Sequence, residues 1–106
     1  MAMKIVAVDF DETISDNVGA WLAVMATLER FGYQVIVVTY RKPDAWPEDL
    51  DFLKDKGYKV YFTGQQAKKK FMSNLGIDVD IWIDDEPQSI TMNYDTNVWK
   101  FLPCAD

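Results

Sequence analysis

The sequence contains no histidine and only one cysteine among its 106 residues. Without histidine, catalysis by an imidazole base, Ser-His-Asp triads and most zinc sites are excluded. The one cysteine, Cys104, excludes an internal disulfide and argues against a cysteine-based zinc site, and a single free thiol is typical of a reducing cytosol. If the protein is an enzyme, its catalytic groups must therefore be carboxylates, lysine, hydroxyl groups and a metal ion that prefers oxygen ligands.

Long apolar runs and an excess of positive charge are lacking as well. No run of about 18 apolar residues indicates a transmembrane helix, and no apolar signal-peptide segment precedes the first charges at Lys4 and Asp9. The formal net charge is −6 and the isoelectric point lies near 4.5, which disfavours non-specific binding to nucleic acid or to an anionic membrane. We therefore expect a cytoplasmic protein without a membrane partner.

The remaining composition is that of a globular domain. Hydrophobic residues make up 49% of the chain and aromatic residues 14%, which argues against disorder. The length falls within the usual range of about 50 to 250 residues for one domain. No repeat, linker or low-complexity tract divides the chain, so we predict a single domain over residues 1–106.

Apolar runs and helical patterns alternate along the chain. This alternation favours an α/β fold in which a parallel sheet carries helices on both faces. We predict a three-layer, Rossmann-like fold of about five strands, with the last strand at an edge. The predicted strands are 5–8, 34–39, 59–62, 80–83 and 97–101, and the predicted helices are 17–30, a short helix from about Pro47 to Gly57, 66–74 and 87–92.

The first predicted strand leads directly into an acidic segment. Ile5–Val8 is an uninterrupted apolar run, typical of a strand buried on both faces, and Asp9 and Asp11 follow it. If the strand geometry continues, both carboxylates point the same way. Two carboxylates about 5 Å apart repel by roughly 3 kcal/mol at an effective dielectric constant of ~20, and protonation or a bound cation would relieve this repulsion. A solvated acidic turn has the same composition, so this segment alone leaves both interpretations open.

Polar side chains follow the other predicted strands too. Because the carboxyl ends of parallel strands meet at one edge of a sheet, we expect these side chains to form a cluster. Carboxylates and hydroxyls without histidine or thiolate favour Mg²⁺, and a lysine would balance the charge of a bound phosphate. Each residue also has a plain structural interpretation, as part of a solvated turn, a strand end or an exposed helix face. The predicted cluster comprises Asp9, Asp11, Thr39, Asp84 and Asp85 with one of Lys68, Lys69 and Lys70.

Together these segments resemble the haloacid dehalogenase superfamily in all four of its motifs, in order, over residues 4–87. The resemblance implies a small phosphatase-like member without a cap domain, because neither segment where the family inserts a cap is long enough to hold one. The first motif corresponds to the strand ending in Asp9-Phe10-Asp11-Glu12-Thr13, the second to the strand ending in Thr39, the third to Lys68 and the fourth to the strand ending in Asp84-Asp85.

The resemblance also implies a mechanism, the hydrolysis of a phosphomonoester. Asp9 would attack phosphorus to form an aspartyl-phosphate, and Asp11 would act first as general acid and then as general base. Thr39 would hydrogen-bond a phosphoryl oxygen, and Lys68 would neutralise negative charge. The implied Mg²⁺ ligands are Asp9, the backbone carbonyl of Asp11 and Asp84, with Asp85 close by.

Several points stay open at the level of sequence. The spacing to the following glycine favours Lys68, although a neighbouring lysine could serve. Glu12 stands where the family commonly has glycine, which bears on the substrate more than on the chemistry. Arg41 and Lys42 follow the second motif and are candidates for contact with a second phosphate.

The substrate and the state of activity are open as well. The implied partner is a phosphorylated substrate, whether a nucleotide, a nucleic-acid end, a sugar phosphate or a phosphoprotein, and an oligomer is compatible with the sequence. A phosphotransferase would carry the same motifs. A catalytically idle phosphate- or protein-binding module on the same fold is the alternative of a different class.

Overall fold

The computed structural model describes residues 3–43 and 48–104. The α-helices are α1 (Val18–Arg30), α2 (Asp51–Asp55), α3 (Lys68–Asn74) and α4 (Gln88–Thr91), with 3₁₀ helices at Ile14–Asp16 and Glu48–Leu50. The strands are β1 (Ile5–Val8), β2 (Gln34–Thr39), β3 (Val60–Phe62), β4 (Ile81–Ile83), β5 (Met92–Asp95) and β6 (Lys100–Pro103). The predicted alternation of strands and helices is therefore confirmed up to β4.

Within the described residues, four strands form one parallel sheet in the order β3-β2-β1-β4. In the centre, Val6 of β1 lies opposite Val35 of β2 on one side and Ile81 of β4 on the other. The protein thus has the predicted α/β fold with a parallel sheet. The strand order reverses at β1, because β2 and β3 follow on one side and β4 returns to the other. In open α/β sheets, ligands bind in the crevice outside the carboxyl ends of the strands at such a reversal.

Alternate residues of the two central strands enter two separate apolar clusters, which explains why both strands are continuous apolar runs. The first cluster includes Met25 of α1 and Leu53 of α2, and the second includes Met72 of α3. From β1 and β2, Val6, Val8, Val35 and Val37 belong to the first cluster, and Ala7, Ile36 and Val38 to the second.

The prediction of a fifth strand at the edge of this sheet was wrong. Strand β6 pairs antiparallel with β5 in a separate two-stranded hairpin, and β5 was not predicted. The hairpin docks instead on loops at the carboxyl edge of the sheet. The hydroxyl of Tyr40 donates to the carbonyl of Met92 at 2.7 Å, and the amide of Tyr94 donates to the carbonyl of Gln65 at 2.9 Å. These hydrogen bonds join residues that lie far apart in sequence, so no local sequence pattern predicted them.

Helix bounds follow local capping and backbone conformation. Helix α1 begins at Val18, one residue after the predicted start, because Asn17 is its N-cap and accepts a hydrogen bond from the amide of Ala20 at 3.1 Å. Helix α3 begins two residues later than predicted, after Gln65 adopts a left-handed conformation with φ of 67°. The predicted helix start at Pro47 lies outside the described residues. None of the helices in residues 3–43 and 48–104 has the length and apolar character required to cross a membrane.

Candidate active site

Two aspartates follow adjacent strands at the point where the strand order reverses. The pairing of β1 with β4 continues past the end of β1, because the amide of Asp9 donates to the carbonyl of Ile83 at 2.9 Å. Asp84 is the next residue after Ile83, so both side chains start from the same crevice. Asp9 is 7% exposed, and the side chain of Asp84 is 2% exposed. Two carboxylates are thus held out of water at the carboxyl edge of the sheet.

The ammonium of Lys68 lies between these two carboxylates. Its Nζ atom donates to Asp9 Oδ1 at 2.8 Å and to Asp84 Oδ2 at 2.5 Å, and the residue is only 1% exposed. A buried ammonium requires such partners, because an unpaired charge out of water is strongly unfavourable. Lys69 is exposed, and Lys70 lines a different depression beside α4. Among the three consecutive lysines, Lys68, which the sequence spacing favoured, is therefore the one that contacts Asp9 and Asp84.

A third aspartate joins this pair. Carboxylate oxygens of Asp9, Asp84 and Asp85 lie within 4.8 Å of one another. With all groups ionised, these three carboxylates and the Lys68 ammonium leave an excess of two negative charges. The donor set is all oxygen and the excess matches a divalent ion, so these residues fit a hard cation such as Mg²⁺.

The electrostatics of Asp9 reflect both its burial and its neighbours. The pKa of Asp9 is raised from 3.8 to about 7, chiefly by burial; the ammonium of Lys68 opposes this increase, and Asp85 and Asp84 contribute smaller increases. Loss of hydration penalises the charged form, and Lys68 offsets only part of that penalty. A cation beside Asp9 would act in the same direction as Lys68 and favour the carboxylate.

Hydroxyl groups from two other segments orient the carboxylates. Thr13 Oγ1 lies 3.2 Å from Asp85 Oδ1 and 3.4 Å from Asp9 Oδ2, so this hydroxyl joins the acidic segment after β1 to the one after β4. Ser89 Oγ in α4 donates to Asp84 Oδ2 at 3.1 Å. The resemblance implies that Thr13, in the first motif, supports the loop after Asp9 more than it takes part in the chemistry, and no role was predicted for Ser89. No sequence pattern indicated the contact of Ser89, because that contact depends on the position of α4 relative to Asp84.

Asp11 lies apart from the group of three. The strand geometry does not continue to Asp11, since β1 ends at Val8 and the chain turns from Phe10 onward. The carboxylate of Asp11 instead accepts from Arg41 Nε at 2.8 Å and from Arg41 Nη2 at 2.5 Å. From its position shortly after the second motif, Arg41 was predicted as a candidate for contact with a second phosphate. Its pairing with Asp11 was not predicted.

Thr39 ends β2 on the same edge and is fully buried. Its Oγ1 accepts a hydrogen bond from the amide of Arg41 at 3.3 Å, so the hydroxyl and the guanidinium belong to the same turn. Two depressions are lined in part by Asp11, Asp84 and Asp85. One, of about 320 Å³, is lined by residues that include Glu12, Thr13, Asp84 and Asp85. The other, of about 270 Å³, is lined by Asp11, Tyr40, Arg41, Lys42 and Gln65.

A larger depression, of about 530 Å³, lies between α3 and α4 and contains none of these aspartates. The largest of these three depressions is therefore not the candidate active site, because the paired charges of Lys68, Asp9 and Asp84 lie at the strand ends.

Comparison of the chain with protein-family models, with curated proteins and with solved structures found no match. Membership of the haloacid dehalogenase superfamily therefore remains a prediction from the four motifs.

Proposed function

We propose that the protein is a Mg²⁺-dependent phosphomonoester hydrolase of the haloacid dehalogenase type, which acts through an aspartyl-phosphate. In this proposal residues 1–106 form one cytoplasmic domain with a three-layer, Rossmann-like arrangement and an open active site. The observation that carries the proposal is the buried ammonium of Lys68 between Asp9 and Asp84, with Asp85 beside them. An ion-paired lysine and a three-carboxylate group at a strand-order reversal suit a phosphate and a divalent cation.

The first step is attack by Asp9 on phosphorus. A carboxylate oxygen of Asp9 forms a bond to phosphorus as the bond from phosphorus to the leaving oxygen breaks, and Asp11 gives its proton to that oxygen. Lys68 and the hydroxyl of Thr39 stabilise the negative charge on the transferred group. Mg²⁺, when bound by Asp9, Asp84 and Asp85, supplies further neutralisation of that charge.

The second step returns the enzyme to its starting state. Asp11, now a carboxylate, takes a proton from water as the water oxygen attacks phosphorus. The bond between phosphorus and the Asp9 oxygen then breaks, which releases inorganic phosphate and the free carboxylate. The products are an alcohol and phosphate, and the same two aspartates serve both steps.

Phosphate release from an aryl phosphate tests this proposal directly. Wild type should show turnover with Mg²⁺ that is lost with a chelator, and Asp9→Asn should abolish it. Asp55→Asn, at the exposed end of α2, is the matched control and should retain full activity. Wild-type turnover that persists in the chelator, or in Asp9→Asn, would contradict the proposed chemistry.

A protein without turnover would require a second measurement. Beryllium fluoride with Mg²⁺ mimics an aspartyl-phosphate, and binding that depends on Asp9 would indicate a strict substrate requirement. Absence of binding would favour the idle module. Transfer to an added alcohol in place of water would identify a phosphotransferase. A screen over nucleotides, nucleic-acid ends, sugar phosphates and phosphopeptides would then narrow the substrate.

A further inference from the structure

Arg41 connects the proposed general acid to a second carboxylate. Its Nε and Nη2 atoms bind the two oxygens of Asp11, while Nη1 lies 3.2 Å from Asp49 Oδ1 and Nη2 lies 3.4 Å from Asp49 Oδ2. The guanidinium also lies over the ring of Phe10, with its carbon 5.3 Å from the ring centre. A bidentate arginine fixes both the distance and the plane of its carboxylate partner, which a lysine cannot do.

Hydrogen bonds hold the backbone of Arg41 as well as its side chain. Its amide donates to Thr39 Oγ1 at 3.3 Å, and its carbonyl accepts from the amide of Gly64 at 3.0 Å. Tyr40, the preceding residue, bonds through its carbonyl to Gln65 and through its hydroxyl to the hairpin. The turn after β2 is therefore tied to two other segments, so the guanidinium has a defined position from which to act.

Asp11 itself has little else to hold it. Its side chain is 47% exposed, and among the described residues Arg41 is the partner that binds its carboxylate. We propose that Arg41 is a positioning residue that holds Asp11 toward the leaving group, with Asp49 holding Arg41 in turn; this inference rests on the proposed function. A carboxyl that rotates freely in solvent would rarely lie next to the leaving oxygen. A misplaced general acid therefore lowers the rate of the step in which the leaving group departs.

The depression beside Asp11 is where the leaving group would lie. A group that receives its proton from Asp11 must be next to that carboxyl, and the depression of about 270 Å³ lined by Asp11, Arg41 and Lys42 provides the space. To donate a proton, Asp11 Oδ1 must leave Nη2 and face this space, while Oδ2 keeps its bond to Nε. The guanidinium meanwhile retains Asp49, so donation of the proton does not release the whole network.

Leaving-group dependence separates this role from a merely structural one. The value of kcat/KM reports the step in which the leaving group departs, and p-nitrophenolate leaves without a proton whereas an alkoxide requires one. For Arg41→Ala and Arg41→Lys we expect kcat/KM for β-glycerol phosphate to fall by at least about ten-fold more than for p-nitrophenyl phosphate. Arg30→Ala, which removes the other arginine from the exposed end of α1, is the matched control and should leave the ratio unchanged. Added methylguanidine should restore part of the alkyl phosphate activity of Arg41→Ala.

Two further variants keep the inference testable if Arg41→Ala unfolds. Asp49→Asn should shift the ratio in the same direction by a smaller factor, since it loosens Arg41 without removing it. In a double-mutant cycle with phenyl phosphate, Arg41→Lys should have little effect on kcat/KM once Asp11→Asn is present, because Arg41 acts through Asp11.

The results that would contradict the role of Arg41 differ from those that would contradict the proposed hydrolase activity. Equal losses on alkyl and aryl phosphates, or additive effects in the cycle, would overturn the inference and point to direct binding of the substrate phosphate by Arg41. Those results would leave the proposed hydrolase intact. Absence of turnover by wild type on every substrate would overturn the proposed function, and the positioning role with it.

Discussion

Replacement of Lys68 by methionine gives the most direct test of the buried charge network. The substitution keeps an unbranched side chain of similar volume and removes the ammonium. It leaves Asp9 and Asp84 with side chains only 8% and 2% exposed and without their cation. Removal of one partner from a buried ion pair costs about 3–5 kcal/mol, because the remaining charge stays out of water. A domain of this size is stable by about 5–15 kcal/mol in total, so the loss is a large fraction of the whole.

Urea unfolding followed by tryptophan fluorescence measures this loss, since the chain has four tryptophans. In chelator at pH 8 we expect Lys68→Met to lower the free energy of unfolding by about 3 kcal/mol or more. Lys69→Met is the matched control, and an exposed site should change stability by less than about 0.5 kcal/mol. Mg²⁺ should stabilise Lys68→Met more than wild type, because the variant site carries one more unbalanced negative charge.

The pH dependence of the Lys68→Met effect follows from Asp9. Burial raises the pKa of Asp9 from 3.8 to about 7, so Asp9 contributes stability that is complete below pH 3.8 and is lost as the pH rises through 7. Without Lys68, which opposes that rise, the pKa goes higher still and the loss becomes larger. The cost of Lys68→Met should therefore shrink as the pH is lowered from 8 to 5.5. Equal stability of Lys68→Met and Lys69→Met in chelator at pH 8 would refute the reasoning.

Three other changes have a defined direction. Glu12 has a left-handed backbone with φ of 62°, so Glu12→Gly should stabilise the protein by up to about 1 kcal/mol in urea, and a destabilised variant would show that the glutamate has favourable contacts of its own. Thr63 Oγ1 is buried without a hydrogen-bond partner among the described residues, so Thr63→Val should be neutral or stabilising by about 1 kcal/mol in thermal unfolding, whereas a clear loss would reveal a bound partner for the hydroxyl. The hydroxyl of Tyr58 donates to Glu29 Oε1 at 2.8 Å, so Tyr58→Phe should cost about 0.5–1 kcal/mol at pH 7. The pKa of Tyr58 is raised from 10 to about 12, chiefly by burial, so its contribution is complete below pH 10 and disappears as the pH rises through 12; a difference between the two proteins that persists there would contradict this assignment.

Much of the scaffold could be predicted from local pattern. The apolar runs of β1 and β2 indicated strands buried on both faces, and each strand indeed contributes alternate residues to two clusters. The parallel topology followed from the alternation of strands and helices. That topology brings Asp9 and Asp84 to one edge of the sheet, because the side chains that follow parallel strands must meet there.

The hairpin and the partners of the charged residues could not be predicted in this way. Strand β5, Met92-Asn93-Tyr94-Asp95, alternates apolar and polar residues over only four positions, and its pairing with β6 and with the carbonyl of Gln65 cannot be read from this segment. Likewise, only the spacing to Gly76 favoured Lys68 over Lys69, and nothing along the chain joins Asp11 to Arg41. These pairings depend on side-chain direction across turns, where a change of one residue or one rotamer selects another partner.

The sequence by itself determined which residues enter the sheet and which carboxylates gather at its carboxyl edge, since both follow from periodicity and from the geometry of parallel strands. Only the tertiary structure decided how those charges are paired. Lys68 lies buried between Asp9 and Asp84, and Asp11 turns away to Arg41. The physical reason is that the energy of an ion pair falls with distance and grows with burial, and segments remote in sequence set both quantities.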